Sequence, residues 1–254
     1  MVSRRNFLTG TAVAAGGAGG VVVWVGTHPA GAPAKTAPSL TPRRGAVAPG
    51  GNVGITGALK GEKPVLASRT ATGDWAAEIP VMRTIVGDTG TVATIVKVEQ
   101  AAGSRLQVRI PKRDSDLLWV PAESVSQYVQ YDRLVVDVGA RTAAYFTPEG
   151  PTWQGRVAVG KQAAPTPLGA SWVSELVHMP SADGPYGIWA WGLAMWSETL
   201  TEFGDGDAQI AVHGTNRDDQ IGEPVSSGCV RVENQQLVEL GDAGFGPGSI
   251  VEMI

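Results

Sequence analysis

The chain has 254 residues, of which 43% are hydrophobic and 17% are charged, and it contains 34 glycines and 17 prolines. This length is enough to bury a hydrophobic core, and the many turn-forming residues favour a β-rich globular protein over a helical bundle. The formal net charge is −4, and after the first residues basic side chains are adjacent only in the pairs Arg43-Arg44 and Lys112-Arg113, which argues against nucleic acid as a partner.

The first 34 residues have the features of an export signal. Residues 3–8, SRRNFL, resemble the twin-arginine motif, and residues 10–26 are weakly apolar and rich in glycine. This stretch is short for a membrane span, so we interpret it as the core of a signal peptide, with 32–34 (APA) as a candidate cleavage site. An uncleaved N-terminal anchor is the alternative. We therefore expect export through the twin-arginine route to the cell wall or periplasm, with membrane contact only if the signal is retained.

Two segments precede the main C-terminal unit. Residues 35–62 are rich in proline, glycine and alanine and are predicted to be a linker. Residues 63–127 are predicted to form a small all-β module, because 91–98 and 105–110 have the alternation and β-branched content of strands. Turn signals lie at 87–90 and 102–104, and 118–125 are similar to the closing strand of bacterial SH3-like modules. This resemblance implies a small SH3-like β-barrel, either a wall-binding or substrate-positioning module or a packing spacer.

Residues 128–254 are predicted to form a second β-rich unit with one helix. The predicted strands are 134–138, 143–146, 153–159, 209–213, 229–232 and 249–254, the first two forming a hairpin. The helix is predicted at 233–240, ended by Gly241. Residues 174–207 are predicted to form a lid or groove wall. The aromatic residues of this segment, which suit either a binding surface or the core, are Tyr186, Trp189, Trp191 and Trp196.

Cys229 is the only cysteine in the chain. Exported proteins use cysteines in pairs, so a single one indicates intermolecular pairing, a reactive thiol or a buried, inert residue. His213 lies 16 positions earlier, at the end of one predicted strand, and Cys229 begins another. If those strands are neighbours, the imidazole could activate the thiol as a thiolate nucleophile. A structural, hydrogen-bonding role for His213 is the alternative.

The residues around Cys229 suit acyl chemistry. Gly228 lets the backbone approach a substrate closely, and the amides of Gly228 and Cys229 could point at one oxyanion. Arg231 shares a strand face with Cys229, where it could favour the thiolate, hold a substrate carboxylate or form a structural salt bridge. One cysteine and one nearby histidine do not make a metal site, and we predict neither a metal nor a cofactor.

Two blocks of residues resemble the signature of the YkuD-type L,D-transpeptidases. The first runs from HGT at 213–215 through IGEPV at 221–225 to SSGCVR at 226–231, and the second contains Gly160-Lys161 and TPLG at 166–169. The resemblance covers about 128–254 and implies a β-sandwich-like catalytic domain. In one respect the chain departs from the pattern, since many members have a second histidine where this chain has Ser227.

The resemblance also implies a role for individual residues. Cys229 would be the nucleophile, His213 its base and Gly214 the residue whose carbonyl orients the imidazole. The residues implied to form the oxyanion hole are Gly228, Cys229 and Ser227. The residues implied to bind substrate are Arg231, Ser226, Tyr186 and Trp191.

The reaction implied by this resemblance takes place on peptidoglycan stem peptides. A cysteine-dependent acyltransferase would release D-Ala from a tetrapeptide, keep the rest as a thioester and pass it to a second stem as a 3→3 crosslink. Water as acceptor would make the protein an L,D-carboxypeptidase. Carbapenem-type β-lactams are the expected inhibitors. A non-catalytic wall-binding protein is one alternative from another class. A papain-like peptidase is another, but such enzymes place their cysteine before the histidine, and in this chain the histidine comes first.

Overall fold

The computed structural model describes residues 53–84 and 91–254, and these form a mostly β protein with one α-helix. The predicted fold class, mostly β with a single helix, is confirmed. The predicted signal at 1–34, the linker up to residue 52 and the turn at 87–90 lie outside the described residues. No helix in the described part of the chain has the length and apolar content needed to cross a membrane.

The N-terminal part is built from nine short strands. They are β1 Gly54–Leu59, β2 Val65–Ala67, β3 Ala77–Ile79, β4 Met82–Thr84, β5 Thr91–Ala93, β6 Ile95–Ala102, β7 Arg105–Arg109, β8 Leu117–Pro121 and β9 Val125–Gln130. An antiparallel sheet has the order β8-β7-β6-β1-β9, while β2 pairs with β3 and β4 with β5. Apolar side chains such as Val96, Val108 and Val120 are fully buried in its core, as the alternating pattern predicts.

The predicted linker extends too far. Strand β1 lies inside the 35–62 segment and is hydrogen-bonded to strands on both sides. Its glycines serve close packing: a Cβ on Gly57 would lie 2.5 Å from Val125 Cγ1 and 2.7 Å from the Ser126 carbonyl oxygen. The predicted boundary between 127 and 128 falls within β9. The SH3-like character of this part and the other domain limits remain predictions.

The C-terminal part contains ten strands and the helix. They are β10 Arg133–Asp137, β11 Thr142–Thr147, β12 Gly150–Arg156, β13 Val159–Gly160, β14 Gly169–His178, β15 Trp189–Trp196, β16 Gln209–His213, β17 Pro224–Ser226, β18 Val230–Arg231, α1 Asn234–Asp242 and β19 Ile250–Met253. The large sheet has the order β12-β11-β10-β19-β14-β15-β16-β18. Two of its pairs, β10–β19 and β16–β18, are parallel, and β13 pairs separately with β17.

Two predictions about this part need correction. The helix does not stop at Gly241 but continues to Asp242, and the chain turns at Gly244, whose φ is 104°. The predicted lid at 174–207 includes the end of β14 and all of β15, which are neighbouring strands inside the sheet. The predicted β10–β11 hairpin is confirmed.

Trp191 is part of the hydrophobic core, so the prediction that it binds substrate is wrong. Its side chain is 2% exposed and its ring centroid lies 4.9 Å from that of Phe245 and 5.7 Å from that of Trp189. Alternation along β15 directs Trp191 into the core, where aromatic rings gain the most from burial.

Hydrogen bonds join the two sheets. The Arg113 guanidinium donates to four carbonyl oxygens of the β15–β16 connection, those of Ser197, Leu200, Thr201 and Asp207. Arg83 forms an ion pair with the buried Glu175 of β14, and Trp172 Nε1 donates to the Ile95 carbonyl at 3.1 Å. The described residues of the two sheets belong to one compact unit.

Candidate active site

Strands β16 and β18 bring the two predicted reactive residues to neighbouring positions. They are parallel, with Val212 opposite Val230 and His213 opposite Arg231, and Cys229 directly precedes β18. Both valines are fully buried. Because side chains alternate between the two faces of a sheet, His213, Arg231 and Cys229 share the opposite face. The prediction that the strand ending at His213 lies beside the chain that follows Cys229 is confirmed.

The His213 imidazole is buried and held in one tautomer. Its side chain is 2% exposed, and Nδ1 lies 2.6 Å from the Gly214 carbonyl oxygen. A carbonyl oxygen can only accept, so Nδ1 carries the proton and Nε2 is left as the basic nitrogen. Burial lowers the pKa of His213 to about 4; the Gly214 hydrogen bond opposes this, and the charge of Arg231 adds to it. His213 is therefore neutral at pH 7.

The Cys229 thiol is unpaired and half-buried. Burial raises its pKa, while a backbone hydrogen bond with Ala211 and the charge of Arg231 lower it. Since burial is the largest of these effects, the pKa of the Cys229 thiol lies above its usual value, which favours the protonated form at rest. A neutral thiol beside a neutral imidazole can act by general-base catalysis, in which the proton moves as sulfur attacks.

Tyr186 lies against both residues. Its ring centroid is 4.8 Å from that of His213, and its pKa is raised by burial and by negative charge on Cys229, with Arg231 opposing. The two rings are tilted by 57° to each other. The predicted role of Tyr186 in substrate binding stays a prediction.

Asn234, the first residue of α1, fixes the loop that carries Tyr186. Its Oδ1 accepts a hydrogen bond from the Thr215 amide at 3.3 Å, and its Nδ2 donates to the Ala182 carbonyl, also at 3.3 Å. The carboxamide thus links the segment after His213 to the segment before Tyr186. Sequence reasoning missed this residue, although its place directly after the CVRVE segment was a usable signal.

Ser226 and Gly228 have a different role from the predicted one. The Ser226 hydroxyl is 1% exposed, accepts the Gly228 amide at 3.1 Å and donates to the Cys229 carbonyl at 2.6 Å. Ser226 therefore does not face a substrate, and the Gly228 amide is not available to an oxyanion. The turn requires glycine at 228, where φ is 120° and a Cβ would lie 2.8 Å from Ile210 Cδ1.

Of the two backbone amides predicted to form the oxyanion hole, the Gly228 amide is therefore already hydrogen-bonded, and the Cys229 amide remains. The Cys229 amide takes part in none of the loop and turn hydrogen bonds within 53–84 and 91–254. Ser227 lies half-buried beside it and has no hydrogen-bonded side chain within those ranges. The Cys229 amide is the backbone donor that the described turn contacts leave available beside the thiol.

Arg231 supplies the positive charge of the site. Its Nη1 donates to Gln220 Oε1 at 3.1 Å, while its Nε is buried without a partner. In the described part of the chain, Arg231 forms no ion pair, so the salt-bridge alternative is wrong. The guanidinium is free to interact with a carboxylate. No cluster of three metal-binding side chains occurs among the described residues.

A protein-family model matches the segment that contains these residues. Residues 131–243 match the YkuD family model, described as the L,D-transpeptidase catalytic domain, and they include His213, Cys229 and Tyr186. This match supports an L,D-transpeptidase catalytic domain over those residues.

Individual relatives are more distant. The chain is 31% identical over 107 residues to the putative L,D-transpeptidase YkuD of Bacillus subtilis, and 30% identical over 108 residues to that of Bacillus licheniformis. Each match covers 42% of this chain and 57% of the relative, so the chain spans little more than half of those proteins. L,D-transpeptidase 3 from Mycobacterium tuberculosis is a structural neighbour with 14% identity and a TM-score of 0.42, over 63% of this chain and 91% of that one.

Proposed function

We propose that the C-terminal part of this protein is an L,D-transpeptidase that forms 3→3 crosslinks between peptidoglycan stem peptides through a thioester on Cys229. The observation that carries the proposal is that the single cysteine directly precedes the strand that pairs in parallel with the strand ending at the neutral His213, inside the segment that matches the L,D-transpeptidase domain.

The first half-reaction builds the thioester. Sγ of Cys229 attacks the carbonyl carbon of the third stem residue, and the thiol proton passes to Nε2 of His213. The negative oxygen that forms is held by the Cys229 amide. When it collapses, the bond to the terminal D-Ala breaks, and the departing amine takes the proton from His213.

The second half-reaction consumes the thioester. The side-chain amine of another stem attacks the thioester carbon, His213 accepts the amine proton, and the sulfur leaves and regains a proton. Water in place of the amine would give hydrolysis, the L,D-carboxypeptidase alternative.

Arg231 is proposed to recognise the substrate. Its guanidinium has one protein partner, Gln220, and lies on the same strand face as Cys229. A free carboxylate at the end of the donor stem fits such a group, since guanidinium and carboxylate form two parallel hydrogen bonds. Carbapenem-type β-lactams are proposed inhibitors, because their strained carbonyl would acylate the same sulfur.

The proposed location is outside the cytoplasm, in the cell wall or periplasm, after export through the twin-arginine route. The sequence at 3–8, which resembles the twin-arginine motif, supports this route.

The test is incubation of the full chain with a purified disaccharide tetrapeptide, followed by mass spectrometry. Transpeptidation yields free D-Ala and a crosslinked dimer, whereas hydrolysis yields D-Ala and a tripeptide alone. Cys229→Ala is the blank and should give neither. Wild-type protein that leaves the tetrapeptide intact would refute the proposal and favour a non-catalytic wall-binding protein.

A further inference from the structure

The backbone around the nucleophile has one polar group without a protein partner. Gly228 and Cys229 together carry two amides and two carbonyls. The Gly228 amide and the Cys229 carbonyl bind Ser226 Oγ, and the Gly228 carbonyl accepts the hydroxyl of Thr166 at 2.8 Å. Within the described residues only the Cys229 amide remains unengaged by these turn contacts. The Gly228 amide, the Gly228 carbonyl and the Cys229 carbonyl are therefore held by side-chain hydroxyls, and the Cys229 amide is left as the available donor.

Thr166 fixes the direction in which that donor points. The Gly228 carbonyl and the Cys229 amide belong to the same peptide unit, and a planar trans peptide directs its C=O and N–H to opposite sides. A hydroxyl that holds the carbonyl on one side therefore aims the amide at the other. No other side chain of the described residues donates to the Gly228 carbonyl.

The Thr166 hydroxyl is itself held firmly. Its Oγ1 accepts the Gly160 amide at 2.9 Å, so its single proton is committed to the Gly228 carbonyl. The residue is 3% exposed, and Gly160 belongs to β13, which pairs with β17 immediately before the nucleophile turn. The chain Gly160 amide, Thr166 hydroxyl and Gly228 carbonyl thus ties the TPLG segment to that turn.

We infer that Thr166 is a positioning residue that orients the Cys229 amide as the oxyanion donor. The inference rests on the proposed acyl transfer at Cys229 and gives the TPLG segment a role in it. Removing one oxyanion donor slows acyl transfer by roughly 100-fold to 1,000-fold. Loosening the donor without removing it should cost less, and we expect a loss of roughly tenfold, below the range for complete removal of a donor.

The experiment compares two reactions of the same thiol in the full chain. Acetylation by p-nitrophenyl acetate passes through an oxyanion, while alkylation by iodoacetamide does not. In the first, Sγ bonds to the acetyl carbon, p-nitrophenolate leaves and the thiol proton is taken up by base. Both rates are measured for wild type, Thr166→Val, which removes the hydroxyl at constant shape, and Thr166→Ser, which keeps it. The rate of Cys229→Ala is subtracted as the blank.

We expect Thr166→Val to lower the acetylation rate of Cys229 about tenfold and to leave its alkylation rate unchanged. Thr166→Ser should be close to wild type in both reactions. Thr94→Val is the matched control, because Thr94 is also buried and donates to a carbonyl, that of Pro80, but lies between β5 and β6 in the N-terminal part. An equal fall in both reactions would show a general effect on the thiol and overturn the inference. Unchanged acetylation would also overturn it.

Two further provisions keep the result interpretable. If Thr166→Val does not fold, Thr166→Ala replaces it under the same criteria, because alanine also lacks the hydroxyl and its smaller side chain fits the same space. The ester assay needs no wall peptide. A wild-type protein that reacts with the ester but not with the tetrapeptide would refute the proposed function, while the Thr166 comparison would still decide this inference.

Discussion

The buried histidine makes the stability of the protein depend on pH in a calculable way. The pKa of His213 is lowered to about 4 in the folded protein, against roughly 6.5 for an unperturbed imidazole. The unfolded chain therefore takes up a proton more readily, and the contribution of the neutral imidazole is complete above about pH 6.5 and is lost as the pH falls towards 4. A difference of about 2.5 units corresponds to about 3 kcal/mol in the free energy of unfolding.

Urea unfolding of wild type and His213→Asn at pH 7, 5.5 and 4 measures the contribution of the neutral His213 imidazole to the free energy of unfolding. Carboxylates titrate in both proteins, so their effect largely cancels in the difference. The stability advantage of wild type should shrink by about 3 kcal/mol between pH 7 and pH 4. The exposed His178 provides the control, since His178→Asn should show no comparable change. A shift below about 1 kcal/mol for His213→Asn would contradict the buried, neutral imidazole, because such a shift is less than one unit of pKa.

Three other predictions follow from the same geometry. Alkylation of Cys229 by iodoacetamide should accelerate with pH without levelling off near neutrality, because burial raises the thiol pKa; a plateau from pH 6 to 8 would indicate a resting thiolate. Gly228→Ala should destabilise the protein by about 2 kcal/mol in urea unfolding, since alanine is strained at a φ of 120° and meets Ile210; full stability would refute that strain. Arg113→Ala should lower stability by roughly 2 kcal/mol through loss of four carbonyl contacts, and an effect below the usual error of about 0.5 kcal/mol would show that the contacts are dispensable.

The sequence predicts best what depends on periodicity and chain order. The position of His213 relative to Cys229 was predictable, because a strand that ends at His213 and a strand that begins after Cys229 can lie side by side when a loop of this length joins them. Strand alternation also indicates which side chains share a face, and Arg231 follows from it. The same rule, applied to β15, would have placed Trp191 in the core; the error came from reading a group of aromatic residues as a groove.

Side-chain hydrogen bonds within turns could not be predicted in this way. Ser226 was expected to meet substrate, yet its hydroxyl closes the turn before Cys229, which depends on a positive φ at Gly228 that no periodicity reveals. The contact of Thr166 with the Gly228 carbonyl joins residues 62 positions apart. Such contacts emerge only when separate elements meet, and they decide which backbone amide is left for catalysis.

Burial also explains how a single thiol could persist in the compartment proposed for this protein. Oxidation and disulfide exchange act on the thiolate, so a raised pKa at Cys229 slows them as it slows any uncatalysed attack. In the proposed reaction, His213 removes the thiol proton while a substrate carbonyl is in contact with the sulfur. On that proposal the neutral pair reacts only with substrate bound, a difference that a preformed thiolate beside an imidazolium would not provide.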